Sequence, residues 1–367
     1  MQSDRFRPLV DANGPFVSVY FDDSHDTADA AAQLDARLRD VRKQLEEQGV
    51  DTSVIEAIDS AVRGAHPPVG RSGRAVIAAG DTVVLDEHLI RPPTTTEVRV
   101  SELPYLVPIV EHGPLHTVYL LVAVDHEGAD ITVHRVGRVS SESVEGDGYP
   151  VHKAKSSEGH EYGKEHAVEE AVRKNIREVA DRVTHLVDET GAQVVFIKGE
   201  VSSRTDLVSA LPERVADKAV QLHAGARAGG TDETEEQHEI TQEFLKRRLA
   251  VIDEAAQRFA AGRGTGLAVE GLADVATALR DGAVDTLIIG DIGDVTVVAD
   301  TELAMLAPDA DTLSDLGGAP ERTLRADEAL PLLAVSTGAA LVRTDERLDP
   351  ADGIAAVLRY AENSSAG

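Results

Sequence analysis

One stretch of the sequence fixes most of what the chain can fold into. Apolar residues fall at Val168, Val172, Ile176, Val179, Val183, Leu186 and Val187, in steps of three and four. That period predicts an amphipathic helix over residues 162–189. At 1.5 Å per residue such a helix is roughly 40 Å long. The segment that follows, "AQVVFIKG" (192–199), is apolar without alternation, as in a strand covered on both faces. "SSRTDLVSAL" and "PERVADK" then suggest two short helices, and "AVQLHA" (219–224) a further strand. Strand and helix in alternation imply an α/β layer structure.

The rest of the chain repeats this alternation. "PFVSVYF" (15–21) reads as a strand, and residues 27–49 and 51–64 as helices stopped by Gly49 and Gly64. "RAVIAAGDTVVLDEHL" reads as a hairpin about Gly80-Asp81, and "SELPYLVPIVEHG" as a short connecting element. From His116, "HTVYLLVAVDHEGADITVHRVGRVSSESVEG" reads as three strands with turns at "DHEG" and near Gly137. "GARAGGTDETEEQHE" (225–239) is the clearest linker, and its acidic half opens a helix in which Lys246, Arg247 and Arg248 come late, as the helix dipole favours. "GLADVATALRDGAVDTLIIGD" reads as a helix stopped at Gly282 that feeds a strand. "DVTVVAD", the helix "ADEALPLLAVSTG", the strand "ALVRT" and a last strand over 352–360 complete the pattern. The expected fold class is therefore α/β, in three segments: 1–114, 115–235 and 236–367.

Composition removes several function classes. Without cysteine there is no disulfide, thiolate or sulfur-ligated zinc chemistry. No apolar run approaches the about 20 residues that span a bilayer, and the first residues lack the apolar core of a signal peptide. A cytoplasmic protein without membrane contact is expected. The net charge of −29 opposes non-specific nucleic-acid binding, so any such contact must come from local basic segments.

The polar stretch "GYPVHKAKSSEGHEYGKEH" (148–166) runs straight into the long helix. His160 and His166 are six apart, the wrong spacing for two metal ligands on one helix face, and adding His152 brings no further ligand at a suitable spacing. No metal and no cofactor are expected. The glutamates Glu158, Glu161 and Glu165 lie beside lysines in an open loop rather than in a cleft, and no Gly-x-Ser-x-Gly elbow is present. "GRGTG" (262–266) lacks the Gly-Lys-Ser/Thr ending of a phosphate-binding loop. No catalytic residue is expected. Two readings of 148–166 stay open on residue type alone. One is a solvated loop followed by a charged helix face. The other is a contact loop, in which Lys153, Lys155 and Lys164 hold phosphates and His152, His160 and Tyr162 stack on bases or bond to sugars. Arg173 and Arg177, at i and i+4, would extend that contact along the helix.

The order of motifs from His116 to Ala224 resembles the middle domain of the archaeo-eukaryotic class 1 release factor and Pelota superfamily. The resemblance rests on the Asp-x-x-Gly-Ala turn at Asp125–Ala129, a polar loop, the helix "EHAVEEAVRKNIREVADRV" and "AQVVFIKGEVSSRTDLVSAL". "VEGLADVATALRDGAVDTLIIGD" (269–291) is similar to the third domain of that family, whose fold is related to kink-turn-binding ribosomal proteins. The chain looks most like the bacterial branch, which includes the Balon-like ribosome hibernation factors of actinobacterial type. Release factors carry Gly-Gly-Gln at the position of the 148–166 loop; here the triplet is absent, and Gly229-Gly230 is followed by Thr231. The resemblance therefore implies a three-domain, non-enzymatic factor that fills the A site of idle 70S ribosomes and blocks translation under stress. It implies that His152, Lys153, Lys155, His160, Tyr162 and Lys164 meet 23S rRNA near the peptidyl-transferase centre. Arg173, Lys174 and Arg177 would hold rRNA phosphates, and Arg71 and Arg74 would meet 16S rRNA of the small subunit. The third domain would face elongation factor Tu, and the protein would be monomeric off the ribosome. A Pelota-like rescue factor and a peptidyl-tRNA or RNA hydrolase are the alternatives.

Overall fold

A computed structural model describes residues 1, 3–64, 70–115, 118–135, 138–145, 161–223, 233–345 and 347–361. The expected turn near Gly137 and the glycine-rich half of the linker lie outside the described residues. The fold is mixed α/β, and the chain divides into two compact units. The first comprises Met1–Leu115 with Phe244–Gly367, and the second His116–Glu243.

The first unit opens with a short helix, α1 (Arg7–Asp11), and then β1 (Phe16–Asp22), the helices α2 (Ala30–Glu47) and α3 (Thr52–Gly64), and the hairpin β2 (Gly73–Ala79) and β3 (Thr82–Leu89). Strand β4 (Glu97–Ser101) and helix α4 (Val107–His112) follow. The sheet order is β3-β2-β1-β4, all antiparallel. One face, with Val17, Val19 and Val76, meets Leu38, Val41, Leu45, Ile55 and Ile58 of α2 and α3. Gly49 ends the α2 region at φ +75°, a conformation that costs glycine little. The hairpin forms where Gly80 places it. The segment 101–113, read as a short connecting element, contains the helix α4, and the stretch just before it, broken by Pro92 and Pro93, holds the edge strand β4, which pairs along β1.

The second unit contains β5 (Tyr119–Val124), β6 (Gly128–Arg135), β7 (Arg138–Glu145), the long α5 (Glu161–Thr190), β8 (Val194–Gly199), α6 (Val201–Ala210), α7 (Glu213–Ala216) and β9 (Ala219–Gln221). Its sheet runs β7-β6-β5-β8-β9, with β5, β8 and β9 parallel and the rest antiparallel. The stripe Ile176, Val179, Val183, Leu186 and Val187 of α5 packs on Leu120, Val122, Ile131, Val195 and Ile197. Burying each such side chain contributes about 1.5–3 kcal/mol, which is what holds a helix this charged to a sheet. On the other face Phe196 is fully buried, and Lys198 Nζ pairs with Glu236 Oε2 at 2.5 Å. Val194–Ile197 is thus covered on both faces, as its unbroken apolar run requires.

Helix α8 (Glu233–Gly262) begins in the second unit and ends in the first, where the remaining elements lie: β10 (Ala268–Glu270), α9 (Leu272–Arg280), β11 (Val284–Ile289), β12 (Thr296–Ala299), β13 (Leu306–Ala307), α10 (Ala310–Asp315), β14 (Arg322–Arg325), α11 (Ala326–Ser336), β15 (Ala340–Arg343) and β16 (Ile354–Leu358). One sheet has the order β10-β16-β11-β15, with β11 and β15 parallel; a smaller one has the order β13-β12-β14. Helices α9 and α11 cover the larger sheet. Their core is continuous with Phe6, Leu9, Phe16, Tyr20, Leu106 and Ile109 of the N-terminal segment. Of the small sheet, β12 falls within "DVTVVAD", whereas β13 and β14, of two and four residues, leave too little periodicity to read.

Candidate nucleic-acid interface

Two close backbone approaches position α5 in the second unit. Asp125 Oδ1 accepts the N–H groups of Glu127 (2.8 Å) and Gly128 (2.9 Å), closing the turn between β5 and β6. A Cβ on Gly128 would lie 2.0 Å from the Val144 carbonyl oxygen, and one on Gly199 (φ +136°) 2.0 Å from that of Val124. Both glycines of the family-like motifs are therefore demanded by the packing of neighbouring strands. Asn175, buried on α5, donates Nδ2 to the His126 carbonyl at 3.1 Å and ties the helix to the same turn. Further along the helix, Arg182 grips Glu142 of β7 with two bonds of 2.5 and 2.6 Å. These anchors hold residues 175–187 against the sheet; the first part of α5 precedes them.

Of the residues expected to meet RNA, His152, Lys153, Lys155 and His160 lie outside the described residues. Tyr162 and Lys164 fall in the first turns of α5, where the backbone alone is described. Arg173, Lys174 and Arg177 are exposed. Arg173 and Arg177 have no ion-pair partner among the described residues, whereas Lys174 Nζ lies 3.6 Å from Glu178. The helix is not uniformly basic. Across Glu161–Thr190 the sequence has five Lys or Arg against eight Asp or Glu, so α5 is net acidic, and three of its five bases fall at 173–177.

Arg71 is exposed, but Arg74 is not available as a small-subunit contact. Its side chain is only 2% exposed, and its guanidinium donates to both oxygens of Asp86 at 2.5 and 2.7 Å and lies 3.0 Å from His88 Nε2. Asp23, also buried, is 3.7 Å away. The alternation of β2 turns Arg74 inward, and the burial explains the pKa values around it. His88 is pushed down to about 3, by desolvation first and by the Arg74 charge second. The Asp23 carboxyl is raised by burial, against the opposing pull of His25 and Arg74.

Sequence reasoning missed Asn175, Arg182 and Arg204. Asn175 interrupts the apolar stripe of α5, the one signal it offers. Arg204, in α6, is 6% exposed, and its Nε and Nη1 have no hydrogen-bond partner among the described residues. His134 of β6 stacks on Tyr119 at 4.4 Å between ring centroids, and burial lowers its pKa to about 4. Among the described residues no group of three His, Asp or Glu side chains could hold a metal ion, and no helix is long and apolar enough to cross a membrane.

This arrangement, a sheet with a parallel β5–β8 pair and a long helix that follows a Lys- and His-bearing segment, is that of a release-factor-like protein. The chain belongs to the bacterial branch of the archaeo-eukaryotic release factor and Pelota superfamily: the bacterial archaeo-eukaryotic release factor family 2 matches residues 118–265. Two proteins of Mycobacterium tuberculosis strains, the uncharacterized proteins MT2704 and Rv2629, are each 50% identical over 370 residues, covering 100% of this chain and 99% of theirs. Among solved structures, Archaeoglobus fulgidus Pelota is 18% identical with a TM-score of 0.36, over 79% of each chain. Archaeal Pelota, from a model of ribosome-bound Pelota and ABCE1, is 14% identical with a TM-score of 0.42, over 98% of this chain and 94% of that one. The archaeal translation termination factor aRF1 is 15% identical with a TM-score of 0.27, over 97% and 96%.

Proposed function

We propose that this protein is a ribosome-binding hibernation factor that occupies the A site of idle ribosomes and blocks translation without hydrolysing peptidyl-tRNA. One observation carries the reading. In a member of the release-factor superfamily, the segment preceding α5 holds His152, Lys153, Lys155 and His160 and no Gly-Gly-Gln. Lysines and imidazoles suit phosphates and bases. They do not by themselves place a water on an ester. On this reading 148–166 reaches the peptidyl-transferase centre, while Arg173, Lys174 and Arg177 hold rRNA phosphates. The N-terminal segment, with Arg71, meets the small subunit, and the C-terminal segment faces elongation factor Tu. The protein works in the cytoplasm as a monomer.

Pelleting with 70S ribosomes tests the reading. The Lys153→Ala/Lys155→Ala variant should bind more weakly, with a salt slope reduced by about 0.7–0.9 for each phosphate that is no longer neutralised. Undiminished pelleting would show that the loop does not touch the ribosome. The same assay on vacant and on stalled ribosomes separates hibernation from rescue, and release of labelled peptide from peptidyl-tRNA would point to the hydrolase alternative instead.

A further inference from the structure

A pocket of about 220 Å³ opens in the first unit beyond the carboxyl ends of the parallel strands β11 and β15. That edge of an α/β sheet is where small ligands are commonly bound. Arg99, Tyr105, Arg325, Asp327, Arg343 and the loop Gly290–Asp294, "GDIGD", line it.

Most polar atoms of the wall already have partners. Arg325 donates to Asp327 at 3.0 Å and to Asp294 at 2.9 Å. Arg99 donates to Asp327 at 2.9 Å and lies 3.4 Å over the Tyr105 ring. Arg343 donates Nη1 to the Gly290 carbonyl and Nε to Glu111 at 3.4 Å. Three of the groups that remain bear on a ligand. Nη2 of Arg343 and the hydroxyl of Tyr105 have no hydrogen-bond partner among the described residues. Asp291 uses Oδ1 to accept the Gly293 N–H at 3.2 Å, which leaves Oδ2 able to accept a further bond. The pocket thus offers a ligand two donors and the unused carboxylate oxygens of Asp291 and of Asp294, whose Oδ1 alone is taken by Arg325.

The charges balance. Arg99, Arg325 and Arg343 face Asp291, Asp294 and Asp327, so the wall carries no net formal charge. A simple anion would gain little in so acidic a protein, and a simple cation would meet the guanidiniums. A ligand with both charges satisfies both sets. The volume is below the about 300–1,000 Å³ of sites for drug-sized ligands, which limits the ligand to a small molecule. We infer that this pocket binds a small zwitterion of the class of a free α-amino acid, with its carboxylate on Arg343 and Tyr105 and its ammonium on Asp291. The inference is independent of the ribosome reading.

Thermal denaturation of the full chain with each proteinogenic amino acid in turn tests it, alongside the matching carboxylates without the amine, the matching amines without the carboxylate, and inorganic phosphate. At least one amino acid should raise Tm by about 3 °C at tenfold above its Kd, and the one-charge compounds should not. Titration calorimetry on Tyr105→Phe and on Asp291→Asn should each show a Kd weakened about tenfold. Asp291 is exposed and Tyr105 half-buried against the core, and an unliganded Tm equal to that of the parent establishes that each variant is folded. The inference is overturned if no amino acid shifts Tm, if phosphate or a plain carboxylate binds as well as the zwitterion, or if both folded variants bind undiminished.

Discussion

At Gly128 and Gly199 a single methyl group tests how closely the strands of the second unit approach. Each added Cβ would sit 2.0 Å from a backbone oxygen that the sheet holds in place. Gly199→Ala also meets an unfavourable φ of +136°. Chemical denaturation of Gly128→Ala or Gly199→Ala should show a loss of about 2–4 kcal/mol, and a change under 0.5 kcal/mol would mean the strands are less tightly apposed. Arg74→Ala leaves buried Asp23 without its nearby guanidinium and breaks the pair with Asp86, so a loss of about 3–5 kcal/mol is expected by the same method. Three half-buried histidines set a pH dependence. His134 is lowered to about 4, His112 to about 4 and His88 to about 3, each by desolvation first. Their unfolded forms take up a proton near 6.5 and their folded forms do not, so the stability they contribute is present above that pH and lost as pH falls towards 4. The raised carboxyls of Asp23, Glu87 and Glu328 act in the opposite sense, gaining stability as pH falls. Replacing His134 with Gln should flatten the fall in Tm between pH 6.5 and 4, relative to the parent, if the imidazole is held neutral.

Helix α5 separates what packs from what is free to bind. Its apolar stripe, Asn175 and Arg182 hold it to the sheet, whereas Arg173 and Arg177 make no ion pair among the described residues. Arg173→Glu/Arg177→Glu should therefore change stability by less than about 1 kcal/mol while weakening ribosome pelleting and lowering its salt slope by about 1–2. A large loss of stability would assign these arginines to the fold instead. Elements were legible in the sequence wherever burial imposed a period. The stripe from Val168 to Val187 announces α5, and the run Val194–Ile197 announces β8. Gly80 and Gly282 punctuate turns whose φ is positive, at +56° and +65°. The strand β4 was hidden because its pairing along β1 is non-local and its residues Glu97–Ser101 are all half-buried. The site was less legible than the fold. "GRSGRA" presents two arginines that look alike, and only the pairing of β2 with β3 turns Arg74 towards Asp86 while Arg71 stays exposed. The pocket-lining polar groups of Tyr105, Asp291 and Arg343 come from segments far apart in the sequence, and no spacing rule joins them.

The whole molecule carries a net charge of −29, and α5 itself has more acids than bases. A body so acidic offers no long-range attraction to RNA, so the proposed ribosome contact would have to rest on local complementarity of residues 148–166 and 173–177. If the proposed contact is right, association at low ionic strength should be slow compared with that of a basic protein of similar size, because the net charge opposes approach to RNA. The N-terminal and C-terminal segments share one continuous core, with Phe6, Leu9 and Ile109 in the same cluster as Leu279, Leu330 and Leu341, so the two segments should unfold together. Occupancy of the A site with the loop at the peptidyl-transferase centre is tested most directly by a density map of 70S ribosomes incubated with the protein. The expected density has α5 pointing Tyr162 and Lys164 towards that centre, with Arg173 and Arg177 against 23S rRNA phosphates. Density elsewhere on the ribosome, or in the A site with α5 turned away from the peptidyl-transferase centre, would contradict it.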